Sequence, residues 1–162
     1  MDRRLFLAAG GAALAGCGFE LRKAPDFAFQ TIAIPAAGPV ANELRRTMGA
    51  AGNVQVTPRQ TPADQAQVIL DLLAELREKV VVGLNASGQV REFQLRSKVK
   101  FRLRTPQGRE LIPETELVQQ RDISFNESAV LAKEAEEGLL YRDMQTDLVQ
   151  QLMRRLAAVK TV

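Results

Sequence analysis

Residues 68–104 read VILDLLAELREKVVVGLNASGQVREFQLRSKVKFRLR, and the alternation within them decides the fold. Between Glu92 and Arg104, Phe93, Leu95, Val99, Phe101 and Leu103 share one side of an extended chain. Arg96, Lys98, Lys100, Arg102 and Arg104 share the other. A period of two, apolar on one side only, predicts a half-buried antiparallel strand with a basic ladder on its wet face. The preceding segment, 68–82, has the composition of a helix. Its apolar residues Val68, Leu70, Leu72, Ala74 and Leu76 nevertheless keep a strict period of two, with Asp71, Glu75 and Arg77 opposite, and three valines follow. This predicts a second long strand whose even-numbered residues face the core. Asn85-Ala86-Ser87-Gly88 links the two as a hairpin turn. Thr105-Pro106-Gln107-Gly108 turns the chain toward a further strand around Leu117 to Phe125.

Working outward, Phe27 to Ile34 alternates well enough for a first strand, which Pro35 ends. Residues 39–52 carry Val40, Leu44 and Met48 at helical spacing, with Gly49 and Gly52 as stop signals. Pro58 and Pro62 mark a loop. From Glu127 to Val159 the chain is predicted helical, with Leu140, Met144, Leu148, Leu152 and Leu156 spaced by four and Gly138 as a point of interruption. The expected fold class is α/β: a two-layer sandwich with two helices packed on one face of a four-stranded, mostly antiparallel sheet, in the order β-α-β-β-β-α.

The N-terminus reads as an export signal. Arg3 and Arg4 precede an apolar run from Leu5 to Ala15, and small residues lead into Cys17, the single cysteine of the chain. The run is too short to cross a bilayer core, which needs ~20 apolar residues. Leu14-Ala15-Gly16-Cys17 resembles a bacterial lipobox. It implies that residues 1–16 are a signal peptide, and that Cys17 becomes the first mature residue, carrying an N-acyl group and an S-diacylglycerol. Multiple acyl chains make such attachment durable. Position 18 is Gly rather than Asp, so the usual inner-membrane retention signal is absent and the outer membrane is expected. Arg3-Arg4-Leu5-Phe6-Leu7 also resembles a twin-arginine signal, and the export route stays open between the two. Residues 17–26 form a lipidated tether, broken by Pro25 and spanning about 30 Å at most. Residues 27–162 form one α/β domain.

Composition bears on chemistry. The chain has no His and no Trp, and lipidation consumes its one thiol. Zinc and copper sites lean on His and Cys, and nucleophile pairs with a His base cannot be assembled. No phosphate-cradling or nucleophile-elbow motif is present. Carboxylate catalysis, as in a wall hydrolase, is the minority reading, since Glu134, Glu136 and Glu137 look like a solvated helix face. The expectation is therefore no enzyme, no catalytic residue, no metal and no cofactor beyond the covalent lipid. A formal charge of +3, one unit lower without Asp2, Arg3 and Arg4, does not point to nucleic acid.

The ordered set of motifs resembles the LptE lipopolysaccharide-assembly lipoproteins. Cys17-Gly18-Phe19-Glu20-Leu21-Arg22 looks like the family's start, and Gly88-Gln89 then Glu92-Phe93 and the basic strand like its centre. Leu131-Ala132-Lys133, Glu136-Glu137 and Gln151-Leu152-Met153-Arg154-Arg155-Leu156 resemble its closing helix. The resemblance implies a one-to-one complex with the outer-membrane β-barrel LptD, in whose lumen such proteins sit as a plug on the periplasmic side, and direct binding of lipopolysaccharide. The family's basic position early in the last helix falls on Lys133. The second, in the turn after the second strand, falls on Ala86, with Arg91 nearby to compensate. Arg96, Lys98, Lys100 and Arg102 complete the expected ligand-binding set, because clustered phosphates favour Lys and Arg on a rigid scaffold. Acids on adjacent strands, such as Glu75 or Glu116, are the competing partners of that ladder. A lipid-binding lipoprotein without a barrel partner is the alternative function.

Overall fold

The alternation of residues 92–104 is realised as strand β4 (Val90–Arg104), which pairs antiparallel on both sides with β3 (Val68–Leu84) and β5 (Glu110–Ser124). The computed structural model describes residues 25–162; the expectations for the signal peptide, Cys17 and most of the tether lie outside the described residues. Ahead of the three long strands come β1 (Thr31–Ala33), helix α1 (Pro39–Ala51) and β2 (Gln55–Val56). Helix α2 (Val130–Ala157) closes the chain. The sheet runs β2-β1-β3-β4-β5, with β1 parallel to β2 and to β3.

The sheet thus has five strands, where four were expected. The fifth, β2, is two residues long and follows α1 back to pair Gln55 with Thr31 and Val56 with Ile32. Two residues carry no readable period, and only the neighbouring strand makes them a strand. Strand β1 is likewise shorter than the expected 27–34. Strand β5 begins at Glu110, seven residues before its expected start. Pro113 sits where the β4–β5 register shifts, on an edge that needs no donor from it. Gly138 does not interrupt α2, which is continuous from Val130 to Ala157.

Both helices cover one face. Val40, Ala41, Leu44 and Met48 of α1 and Leu148, Val149, Leu152, Met153 and Leu156 of α2 form a single buried core with Val68, Leu70, Val99, Phe101, Leu103 and Leu117. Among the described residues, no helix covers the opposite face of β3-β4-β5.

Strand β3 departs from its expected alternation. Leu72 lies opposite Phe101, but the next aligned pair is Ala74 and Lys100, so Leu73 is an extra residue, a β-bulge. One inserted residue exchanges the faces of everything after it. Glu75, Arg77 and Lys79 therefore align with Val99, Ser97 and Leu95 on the helix side. Ala74 and Leu76, expected in the core, align with Lys100 and Lys98 on the open side, and Leu76 is 52% exposed.

The displaced carboxylate finds a use. Helix α1 starts at Pro39 behind Gly38, which offers no side chain to cap it. Glu75 receives the Val40 and Ala41 N–H groups at 3.3 and 3.4 Å and caps the helix from the strand below. A Cβ at position 38 would overlap the Glu75 carboxylate, so the absence of a side chain there makes room for the cap. Glu75→Ala is expected to cost about 1 kcal/mol in urea unfolding. Glu75→Gln should recover part of that loss; identical midpoints for wild type and Glu75→Ala would remove the capping role.

Candidate functional site

The expected ligand-binding cations divide between two faces of the sheet. Arg96, Lys98, Lys100 and Arg102 lie on the open face, in register with Glu78, Leu76, Ala74 and Asp71 of β3. Lys133 stands on α2, on the covered side, and the parity of β4 puts Arg91 on that side with Phe93 and Leu95.

On the open face the ladder is engaged with side chains of the neighbouring strands and, for Arg96, of its own strand. Lys98 Nζ lies 2.9 Å from Glu78 Oε2, and Lys100 Nζ 3.7 Å from Glu114 Oε1. Arg96 Nε donates to Gln94 Oε1 at 2.8 Å. Arg102 and Arg104 both donate through Nε to Asp71 Oδ2, at 2.9 and 2.8 Å. The ion-pair partners are Asp71, Glu78 and Glu114 rather than Glu75 or Glu116: the bulge carries Glu75 to the other face, and Glu116 stands opposite Lys100 without forming an ion pair. A phosphate approaching this face meets carboxylates as well as cations. The ladder is chiefly cross-strand pairing that fixes register.

Asp71 is the most enclosed of these acids. Burial alone would raise its carboxyl, but hydrogen bonds from Arg104 and Arg102 overcome that and hold it below the ordinary carboxylate range. The same hydrogen bond raises the Arg104 guanidinium. A depressed carboxylate stabilises the fold above its unfolded pKa, and that contribution is lost as pH falls through the folded value. Asp71→Asn is expected to destabilise the domain by about 1–2 kcal/mol at pH 7, discounted for the exposure of Arg102. The deficit should shrink on acidification below about pH 4. Unfolding midpoints of both proteins at several pH values measure it.

The covered side gathers a different set. A small cleft between the ends of β3, β4 and β5 and the first turns of α2 is lined by Phe93, Ile123, Phe125 and Val130, with Lys79, Lys133, Glu134 and Glu137 at its rim. Phe93 and Phe125 meet edge to face, with centroids 5.4 Å apart. Lys133 Nζ donates to Ser124 Oγ and to Glu136 Oε2, both at 2.9 Å. Lys79 Nζ sits 4.4 Å from the Phe93 ring centroid and 2.6 Å from Glu137 Oε2. Arg91 lines an adjoining cleft with Asn126, Glu127 and Ser128. Two ammonium groups, each beside a glutamate, rim a small recess that is polar at the mouth and aromatic within.

Lys79 was missed by the sequence reading. Strict alternation put it beside Arg77 on the wet side, and only the Leu73 bulge turns it toward α2.

The sequence model of the family described as "LptE: Lipopolysaccharide-assembly" matches residues 29–156, which span all five strands and nearly all of α2. The chain belongs to the LptE family. It is 27% identical over 167 aligned positions to the LPS-assembly lipoprotein LptE of Pectobacterium atrosepticum, covering 98% of this chain and 88% of that protein. Among solved structures, lipoprotein B of Nitrosomonas europaea is 34% identical with a TM-score of 0.74, covering 87% of this chain and 91% of the other. The rare lipoprotein B of Shewanella oneidensis, at 20% identity and a TM-score of 0.65, covers 80% and 95% and shares the fold. A role in lipopolysaccharide assembly and the character of a lipoprotein follow from LptE membership.

Proposed function

We propose that this LptE-family protein is an outer-membrane lipoprotein, lipidated at Cys17 after removal of residues 1–16, that complexes one-to-one with the LptD barrel and plugs its lumen from the periplasmic side. It assists lipopolysaccharide assembly there and binds lipopolysaccharide directly. The observation that carries this reading is the extent of the family match, which runs over the whole α/β unit rather than one motif. Its role is assembly and not catalysis. An open sheet face whose charges pair internally is suited to lying against a protein wall, since interfaces are about as apolar as other protein surface and carry many polar contacts.

The lipopolysaccharide contact is assigned to the Lys133 end. Lys133 and Lys79 would meet phosphate or carboxylate groups, the aromatic cleft would take apolar atoms, and Arg91 would stand at the border. Both lysines would exchange a glutamate partner for the ligand, as Arg96, Lys98, Lys100 and Arg102 would have to exchange theirs; what the ladder lacks is the adjoining aromatic cleft. Purification from outer membrane in mild detergent tests the complex: a large β-barrel should co-purify at equal stoichiometry. Recovery of this lipoprotein alone, from membranes in which LptD is intact, would return the function to a stand-alone lipid-binding lipoprotein.

A further inference from the structure

Strand β3 is paired along its length on one side only. It runs 17 residues beside β4, whereas on its other edge β1 covers just Val68 and Ile69. From Leu70 to Leu84 no strand lies along that edge among the described residues. Leu73, Leu76, Val80, Val81, Val82 and Leu84 of the same stretch are exposed. A long apolar edge is a template for another extended chain, and proteins normally blunt it. Bulges do so at Leu73 and at Val82. Between them, Ala74 to Val81 keep an unbroken register with Lys100 to Phe93. That leaves about 26 Å of regular edge.

Tyr141 marks the main-chain groups that face outward. From α2, its hydroxyl donates to the Glu78 carbonyl at 2.8 Å, so this carbonyl points away from β4. Both main-chain groups of an antiparallel strand residue point to the same neighbour, and the direction alternates along the strand. Leu76, Glu78 and Val80 therefore offer N–H and C=O outward, with their side chains on the open face beside Lys98, Arg96 and Gln94. Among the described residues, Tyr141 is the one side chain that answers any of these groups. The free edge of β5 is of another kind. Pro113 lies in it, Arg121 Nη1 donates to the Gln120 carbonyl at 2.8 Å, and Val118 is its one exposed large apolar side chain.

We propose that the Ala74–Val81 edge accepts an extended segment of the barrel chain as an added strand. The inference rests on the barrel complex proposed above. Strands of the barrel wall already pair with two neighbours in a closed ring, so the occupant is a loop or terminal segment that enters the lumen. Main-chain hydrogen bonds supply its affinity and alternate side chains its specificity. It carries apolar residues opposite Leu76 and Val80 and no proline between them. Its N–H replaces the Tyr141 hydroxyl on Glu78, which keeps that carbonyl satisfied until the partner arrives. The protein's own tether does not reach. Residues 17–24 leave from Pro25, which Asn53 holds ahead of β2, and extend at most about 29 Å. By the β2-β1-β3 register Val80 lies roughly 40 Å further along the sheet.

Amide hydrogen exchange tests this on the full-length lipidated protein, alone and co-purified with the barrel in mild detergent. The amides of Leu76, Glu78 and Val80 should exchange readily in the free lipoprotein and slow roughly tenfold or more in the complex. Val80→Pro removes one outward N–H and leaves the β4 ladder intact. It should weaken retention of the barrel about fivefold, the worth of one hydrogen bond. Val80→Lys is the milder second variant, and a thermal melt checks the folding of each. Gln120→Pro, on the β5 edge, should retain the barrel as wild type does. Unchanged exchange at 76–80 in the complex, or equal losses for Val80→Pro and Gln120→Pro, overturns the proposal. Slowing that instead grows with concentration of the free lipoprotein, together with a dimer mass, gives the edge to a second copy and overturns it too. Wild-type lipoprotein recovered without any barrel overturns the complex beneath the inference.

Discussion

Replacing Phe101 with alanine is expected to destabilise the domain by about 3–5 kcal/mol, the largest loss from any single truncation considered for this fold. Phe101 is fully buried toward the end of β4, a strand paired on both sides, and its ring belongs to the one core that both helices share with the sheet. Removing it leaves a cavity that α1, α2, β3 and β5 would have to close together. Native interiors relax only partly around such deletions. For a domain of this size the melting temperature should fall by roughly 10–15 °C, read by circular dichroism. Phe93→Ala is the internal comparison. Phe93 is half-buried and belongs to a small satellite cluster with Leu95, Ile123 and Met144 rather than to the main core, so its loss should be clearly smaller. Equal losses would mean that the hairpin end is as much a part of the cooperative core as the region around Phe101.

The contrast between those two positions also marks what could be read from the sequence. Strand β4 was legible because a central strand buried on one face writes its environment into every second residue, and Leu95, Val99, Phe101 and Leu103 are buried as the alternation requires. Helix α1 was legible to within a residue, since Pro39 and Gly52 punctuate it and Gly52 adopts the left-handed conformation at φ 75°. Strand β3 was legible in extent but not in phase. The Leu73 bulge is a property of two residues opposing one on the partner strand, and the apolar residues on both sides of the bulge let either phase look acceptable. That one position reassigns Glu75 to the cap of α1, Arg77 to Gln145, at 2.9 Å, and Lys79 to the cleft beside Lys133. Strand β2 was not legible at all, because pairing and not composition defines it. The candidate site suffered the same way. A basic ladder looks like an anion site in one dimension, and only the register of β3 and β5 reveals the acids that answer it.

Charge reversal at Lys133 is expected to weaken lipopolysaccharide binding roughly 10–100-fold, the equivalent of about 1–3 kcal/mol for a charge-assisted contact. The side chain is fixed before any ligand arrives, with its ammonium between Ser124 Oγ and Glu136 Oε2 and 23% of its surface exposed. Such preorganisation spares the ordering cost that a free lysine would incur. Lys133→Glu would also add a carboxylate to Glu134, Glu136 and Glu137, so Lys133→Gln separates loss of the cation from new repulsion and should show the smaller part of the effect. Lys79→Gln tests the neighbour that the bulge delivers. The decisive comparison is the double substitution Lys98→Glu and Lys100→Glu on the open face. If the ligand sits at the cleft, that variant should bind nearly as wild type while losing some stability, because the contact of Lys98 with Glu78 at 2.9 Å is gone. Titration of each purified variant against lipopolysaccharide, with its melt recorded in parallel, separates the two faces. Should the open-face double variant lose as much affinity as Lys133→Glu, the ligand lies across the ladder, and the cross-strand ion pairs must open to receive it.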